Sequence, residues 1–143
     1  MEAKESPLIL KQFDILSSKC DLVPTEDPTV NLLLETKKMP VDIDFFMKQN
    51  EDGSFYLFTK VSINQGEDPK PGYSIYTEGV GLFDFQPELS SEEKSKYYNS
   101  GVNICIGNLR QYISAITSYY PLGRFSFHSI DMPALFKSKS GKI

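Results

Sequence analysis

The sequence reads GVGLFDF at Gly79–Phe85, NICIGNLRQYI at Asn103–Ile113 and FSFHSIDMPALF at Phe125–Phe136. The first segment is typical of a strand, the second has the apolar spacing of a helix, and the third is apolar and largely without a period. None of the three carries a set of residues suited to bond chemistry. The combination favours a protein that presents apolar surface to a partner over an enzyme.

Two strands are predicted in the first third of the chain. Apolar residues spread from Leu8 to Val23 favour a strand that ends at Pro24. Residues 41–47 alternate, which places Val41, Ile43, Phe45 and Met47 on one face and Asp42 and Asp44 on the other. Between these strands, the apolar patch at 30–34 is interpreted as too short for a helix. It either packs into the core beneath a loop or forms one wall of a groove.

Two more strands follow a turn at residues 50–53. Residues 54–64 are rich in aromatic and β-branched side chains, and apolar residues fall on both faces of this strand. Each face is therefore expected to be covered by a helix, a ligand or a neighbouring subunit. The fourth strand is predicted over 73–85, where Gly79 and Gly81 are expected to mark a bulge.

Helices follow the strands. Ser90 and Glu93 have the spacing of a capping box. Apolar residues then recur at alternating spacings of four and three, at Val102, Ile106, Leu109, Ile113, Ile116 and Tyr120. A second stripe contains Cys105, Tyr112 and Tyr119, so the helix either packs entirely in the core or divides its stripes between sheet and partner. Residues 134–140 are predicted to form a short terminal helix.

Strands followed by helices indicate an α+β fold, a four-stranded antiparallel sheet packed with one long and one shorter C-terminal helix. The 143 residues are expected to form one domain, 1–143, with flexible ends at 1–7 and 137–143. A net charge of −4 argues against nucleic-acid binding, which requires a clustered basic surface. The two cysteines, Cys20 and Cys105, read as free thiols of a reducing compartment, and no apolar window is long enough to span a membrane. A cytoplasmic location is therefore predicted.

The candidates for chemistry are weak. His128, the one histidine, has no second ligand or nucleophile at a useful spacing. Asp42 and Asp44 lie on the polar face of an amphipathic strand, where a solvated face is favoured over a divalent-ion site. Gly79–Gly81 is too short for a phosphate-binding loop. The sequence therefore predicts no enzyme, no cofactor and no metal.

The chain resembles the SecB family of export chaperones. Asn103–Ile113 and Ala134–Phe136 are similar to that family's main helix and the start of its last helix. Gly81–Phe83 resembles the end of its fourth strand, the alternation from Val41 to Phe45 its second strand, and Phe13–Pro24 its first strand and exit turn. The resemblance extends from about Leu8 to Phe136 and rests on the collinearity of these segments.

This resemblance implies an ATP-independent holdase that binds unfolded polypeptides in apolar grooves, and a homotetramer built as a dimer of dimers. It also implies delivery of precursors to the SecA motor or, in other members of the family, service to one toxin–antitoxin pair. By position in the family, client-binding residues are expected at Val41, Ile43, Phe45, Phe125, Phe127, Ile130, Leu135 and Phe136, and Leu32 and Leu34 are added for their composition. A subunit interface is expected at Val102, Ile106, Leu109, Tyr112, Ile113, Ile116 and Tyr119.

Three departures from the family concern the downstream partner. Lys19 and Val23 stand where the family has acidic residues that help recruit the motor. The end of the chain, from Lys137, is basic and short, and Gly107 replaces a proline at the start of the family's helix. These departures weaken the inference that the protein delivers clients to SecA. A dedicated chaperone or adaptor for one partner, such as an antitoxin, remains the alternative.

Overall fold

The computed structural model describes residues 1–141. Its elements are β1 (Leu8–Val23), α1 (Leu32–Lys37), β2 (Val41–Gln49), β3 (Phe55–Ile63), β4 (Gly72–Phe85), α2 (Ser91–Thr117) and α3 (Met132–Gly141). The four strands form one sheet in the order β1-β4-β3-β2, and every neighbouring pair is antiparallel. The predicted α+β class is confirmed. Strands β1 and β2 lie at opposite edges.

Strand β1 keeps its apolar side chains on one face of the sheet by breaking its register with β4 twice. The shifts lie within residues 10–12 and within residues 15–17. An extra residue in one strand moves every later side chain to the other face. Inward-facing residues are therefore even-numbered before the first shift, as at Leu8, and odd-numbered between the two shifts, as at Phe13. After the second shift they are even-numbered again, as at Cys20.

The expected bulge at Gly79 and Gly81 is absent from β4, because both register shifts belong to β1. The glycines instead allow close packing. A Cβ at Gly79 would lie 2.6 Å from Cζ of Phe13, a distance that real Cβ atoms essentially never show, and 3.1 Å from Cδ2 of Leu109, which is tighter than most real contacts. The missing side chain thus lets α2 and the Phe13 ring approach β4.

Helix α2 is a single helix of 27 residues that begins with the predicted capping box. The Ser90 hydroxyl accepts from the Glu93 amide at 3.2 Å, and the Glu93 carboxylate accepts from the Ser90 amide at 3.4 Å. The inward face of the helix packs on β4, β3 and β1. Its buried side chains are Val102, Cys105, Ile106, Leu109, Ile113 and Thr117.

This packing shows that four residues expected at a subunit interface are instead buried within the chain. Val102, Ile106, Leu109 and Ile113 are each 3% exposed or less within one chain. They have no surface left for a second subunit, because the inner face of the sheet already covers them. Among the expected interface residues, the half-buried Tyr112 and Ile116 and the exposed Tyr119 stay predictions.

The patch at 30–34 was expected to be too short for a helix, and this was wrong. Asn31 caps a six-residue helix, α1, by accepting a hydrogen bond from the Leu34 amide at 3.1 Å. The buried Thr36 hydroxyl donates to the Leu32 carbonyl at 2.8 Å and accepts from the Tyr73 amide at 3.0 Å. A cap and one bond to β4 therefore stabilise a helix that its length alone would not.

The close approach at Gly79 can be tested by substitution. Gly79→Ala places a Cβ against Phe13 and Leu109, and we expect a loss of about 1–3 kcal/mol in the free energy of unfolding from overpacking. Gly107→Ala is the matched control, since a Cβ there meets nothing within 4 Å and replaces a helical glycine. It should stabilise by about 0.5–1 kcal/mol. Urea denaturation at equal protein concentration measures both, and equal effects would contradict the packing described.

Candidate functional site

Strand β2 has an unpaired edge whose geometry follows from its hairpin. The Asn50 amide donates to the Ser54 carbonyl at 2.8 Å, the Gly53 amide donates to the Asn50 carbonyl at 3.2 Å, and Gly53 has φ of +92°. Hydrogen-bonded pairs alternate along an antiparallel ladder, so the even-numbered residues of β2 bond to β3. The odd-numbered residues turn their N–H and C=O groups to the edge and their side chains to the inner face.

An apolar groove lies beside this edge, between β2, α2 and α3, and encloses about 290 Å³. We call it the β2–α2 groove. Its lining residues are Phe45, Phe46, Met47, Phe55, Leu57, Tyr98, Asn99, Val102 and Lys139. Lys139 and Asn99 supply its polar groups, and the rest of the lining is apolar or aromatic.

Helix α3 contacts β2 through an aromatic pair and an ion pair. The Phe136 ring meets the Phe45 ring edge-on, with centroids 5.6 Å apart. Lys139 Nζ lies 2.6 Å from Asp44 Oδ1 and 5.3 Å from the Phe45 ring centroid. Lys139, which was expected to belong to a frayed basic tail, thus lines the groove, and α3 continues to Gly141. Lys142 and Ile143 lie outside the described residues.

The outer face of the sheet carries a second apolar surface, the outer strip, which consists of Phe46, Tyr56, Phe58, Val80 and Leu82. The Phe46 and Phe58 rings stack with centroids 4.6 Å apart and an interplanar angle of 9°. Phe46 is 51% exposed and Tyr56 is 36% exposed. Phe46 also lines the β2–α2 groove, so apolar surface continues around the edge of β2 from one face to the other.

The segment between α2 and α3 is held against the body of the protein. The buried Thr117 hydroxyl accepts from the Phe125 amide at 2.8 Å and donates to the Ile113 carbonyl at 2.6 Å. The Arg110 guanidinium donates to the Phe127 and His128 carbonyls, each at 3.2 Å, and stacks 4.6 Å from the Phe127 ring. Side chains of α2 therefore fix this extended backbone, which has no ladder of its own, at Phe125, Phe127 and His128.

These contacts correct part of the predicted client-binding set. Phe125, Phe127 and Ile43 are 2%, 4% and 8% exposed, so they belong to the core and cannot offer area to a client. Phe125 and Phe127 also meet Val41 in a separate cavity of about 160 Å³. Of the predicted set, Phe45 lines the β2–α2 groove.

The remaining predicted residues are placed around the groove or away from it. Phe136 contacts Phe45, and Ile130 and Leu135 are half-buried against the core. Leu32 and Leu34 lie on α1, near a cleft of about 450 Å³ that is rich in proline and charged residues and whose lining residues all lie outside the strands. We favour the smaller groove because an apolar lining and unpaired backbone occur together there.

The sequence interpretation missed Phe46, Tyr98 and Lys139 as groove residues, and it left Met47 out of the site. Met47 continues the alternation of Val41, Ile43 and Phe45, so the pattern already contained it. Tyr98 stands four residues before Val102, at helical spacing. Phe46 and Lys139 could not be found from periodicity, because the edge position of β2 brings them to the groove.

The described residues hold few groups poised for chemistry. Burial raises the pKa of the Cys105 thiol to about 11, and burial and then the Asp21 carboxylate raise the pKa of Cys20 to about 11. Both are thiols near neutral pH and poor nucleophiles. Within residues 1–141 there is no group of three or more His, Cys, Asp or Glu placed to hold a metal ion. In the same range, no helix combines the length and the apolar character needed to cross a membrane.

Comparison with solved structures identifies a similar fold. A structure of a SecB-like chaperone from Mycobacterium tuberculosis, in complex with a ChAD peptide from the HigA1 antitoxin, matches with a TM-score of 0.57 and 13% sequence identity. The match covers 87% of this chain and 91% of that chain. At this identity the likeness shows a SecB-like fold. No protein-family model and no curated protein sequence matches the chain.

The role of Thr117 leads to a second prediction. Thr117→Val removes the acceptor of the buried Phe125 amide, and we expect a loss of about 1–3 kcal/mol in stability. The Phe125 amide should also exchange its hydrogen faster. Thr117→Ser keeps the hydroxyl and loses one buried methyl group, at a cost of about 1 kcal/mol. Hydrogen exchange read at Phe125 separates the two variants, and equal exchange rates in both would show that the hydroxyl does not hold the segment.

Proposed function

We propose that this protein is an ATP-independent holdase chaperone that binds unfolded polypeptide segments in the β2–α2 groove. The observation that carries the proposal is an apolar groove beside an unpaired strand edge. Folded proteins rarely present contiguous apolar patches, so such a groove selects unfolded chains. Burial of one client Leu or Phe side chain contributes about 1.5–3 kcal/mol, and a few of them suffice for transient holding.

A dedicated partner is the second candidate. The solved SecB-like chaperone of similar fold holds a peptide from an antitoxin, which supports the same kind of occupant for this chain. The outer face of β1 also gives little support for delivery to SecA. Lys19 is exposed there, 3.9 Å from Asp21, and Val23 replaces an acidic residue of the family. We therefore propose service to one dedicated partner as an alternative to the holding of many unfolded clients. Delivery of clients to SecA for export is the less supported proposal.

Assembly into a homotetramer in the cytoplasm belongs to the same proposal. The side of α2 turned away from the sheet exposes Ile104 at 36%, and Tyr119, two residues beyond the end of the helix, is 91% exposed. These residues remain for a contact between subunits after the inward stripe has been buried. The resemblance to SecB supports helices at that interface.

The groove is tested by a charge placed within it. Met47→Asp should weaken the holding of a chemically unfolded client about tenfold, because a client's apolar side chain would have to desolvate the carboxylate. The control is Leu16→Asp, since Leu16 is 52% exposed and Met47 44% exposed, and Leu16 lies on β1 at the opposite edge. Light scattering of the aggregating client without nucleotide gives the measurement.

Equal protection by both variants would refute the groove as the client site. If the wild-type protein protects no unfolded client but binds one peptide tightly, the dedicated role replaces the general one.

The assembly gives a separate prediction. The mass in solution should be near four times that of the 16.2 kDa chain, and Tyr119→Asp should reduce it, because an ionised group would be buried between subunits. Light scattering coupled to size exclusion measures the mass. A wild-type monomer at micromolar concentration would contradict the tetramer and leave the groove to be judged by the preceding experiment.

A further inference from the structure

We infer that a pocket beside the C-terminal half of α2 binds a phosphomonoester, the singly esterified phosphate group of a small polar molecule or of a phosphorylated side chain. The pocket encloses about 330 Å³ between α2 and the segment that follows it. Its lining residues are Arg110, Gln111, Ser114, Ala115, Arg124 and Ser126. The inference is independent of the holdase proposal, because none of these residues lines the β2–α2 groove.

Both arginines of the chain lie in this pocket. Lys and Arg together number 15, and the only two arginines among them, Arg110 and Arg124, line the same cavity. A guanidinium presents planar pairs of N–H groups that match two oxygens of a phosphate group, which the ammonium of a lysine does not. Two guanidiniums also balance the charge of a phosphomonoester, which is about −1.5 to −2 at pH 7.

The guanidiniums keep most of their hydrogen-bond donors available. Arg110 donates to the Phe127 and His128 carbonyls. About three of the five N–H groups of its guanidinium therefore remain for a ligand. Within residues 1–141, Arg124 forms no ion pair and no hydrogen bond. Its whole guanidinium is thus available to an anion in the pocket.

The surroundings of the pocket favour an anion with a polar carrier. Residues 94–130 contain no Asp or Glu, although the whole chain has a net charge of −4. This range includes every residue that lines the pocket. Among these described lining residues, none is acidic and none is aromatic. The pocket therefore does not repel an anion, and it offers no stacking partner for a nucleobase, so a nucleotide is a poorer fit than a phosphate on a polar carrier.

The fold fixes the two walls of the pocket relative to each other. On α2, Arg110 and Ser114 have the i, i+4 spacing that places side chains on one face. On the other wall, Arg124 is exposed beside Phe125, which is 2% exposed. The Thr117 hydroxyl accepts from the Phe125 amide at 2.8 Å, so the second wall is attached to the helix that forms the first. A site whose walls are ordered before binding loses less entropy when the ligand arrives.

Titration of the full chain with glycerol 3-phosphate tests the site, with the NMR signals of backbone amides and arginine Nε–Hε groups as the readout. At constant ionic strength, we expect a dissociation constant of about 1 mM, with signal shifts confined to residues 110–115 and 124–128. Acetate at the same ionic strength should bind at least about tenfold more weakly, because it carries one charge and two oxygens where the phosphate group carries about two charges and three terminal oxygens.

Substitution of Arg124 separates the pocket from the overall charge of the protein. Arg124→Gln should weaken the binding of glycerol 3-phosphate about tenfold, and Arg124→Lys, which keeps the charge and loses the paired donors, about threefold. Lys96→Gln is the matched control, because it removes the same charge from an exposed position of α2 outside the pocket. It should bind as tightly as the wild type.

A phosphoserine peptide and the same peptide without the phosphate distinguish the two sources of the phosphate group. Tighter binding of the phosphoserine peptide than of glycerol 3-phosphate would identify a phosphorylated polypeptide as the ligand, and the reverse order would identify a small molecule. Either order supports the site, provided that Arg124→Gln weakens the binding. Equal shifts in the pocket with both peptides would overturn it, because the phosphate group would then contribute nothing.

Three other outcomes would overturn the inference. One is an equal affinity of wild type and Arg124→Gln for glycerol 3-phosphate, or an equal loss in Lys96→Gln, since overall charge would then explain the binding. Another is the absence of shifts at 110–115 and 124–128 up to about 20 mM ligand. The third is a lower mass of Arg124→Gln in solution without any response to phosphate, which would assign the arginines to a carboxylate of a second copy. None of these results bears on the holdase proposal, which Met47→Asp tests.

Discussion

The close packing of α2 on the inner face of the sheet is the constraint on which the other features depend. Gly79 and Gly81 have no side chains to hold the helix away from β4, so Leu109 and Cys105 reach the backbone of that strand. The helix packs chiefly over β4, β3 and β1, and β2 lies towards its margin. The groove exists because α2 does not cover β2, and α3 covers it only in part.

Much of the fold could be predicted because its signals are local. The alternation of β2, the turn at Gly53 and the cap at Ser90 each depend on residues close together in sequence. What could not be predicted depends on distant contacts. The α1 helix needs a bond from Tyr73 to Thr36, and the role of Gly79 becomes clear only when Leu109 is placed opposite it.

The site was harder to predict than the fold for the same reason. The segment containing Phe125 and Phe127 reads as an exposed apolar loop, and the hydroxyl of Thr117 and the guanidinium of Arg110 turn these rings into the core. The inward stripe of α2 looked equally suited to a sheet or a subunit, because periodicity identifies a face and not its neighbour. Phe46 gained a role from the edge position of its strand, which strand order alone determines.

The order of the strands has a consequence for synthesis of the chain. Strand β1 leaves the ribosome first, but its partner is β4, which ends at Phe85. At about 5–20 residues per second, β1 remains without its partner for several seconds or more. Helix α2 emerges later still, so the sheet is complete before its inner face is covered. The nascent chain therefore exposes for a time the kind of extended apolar segment that its folded groove is suited to hold.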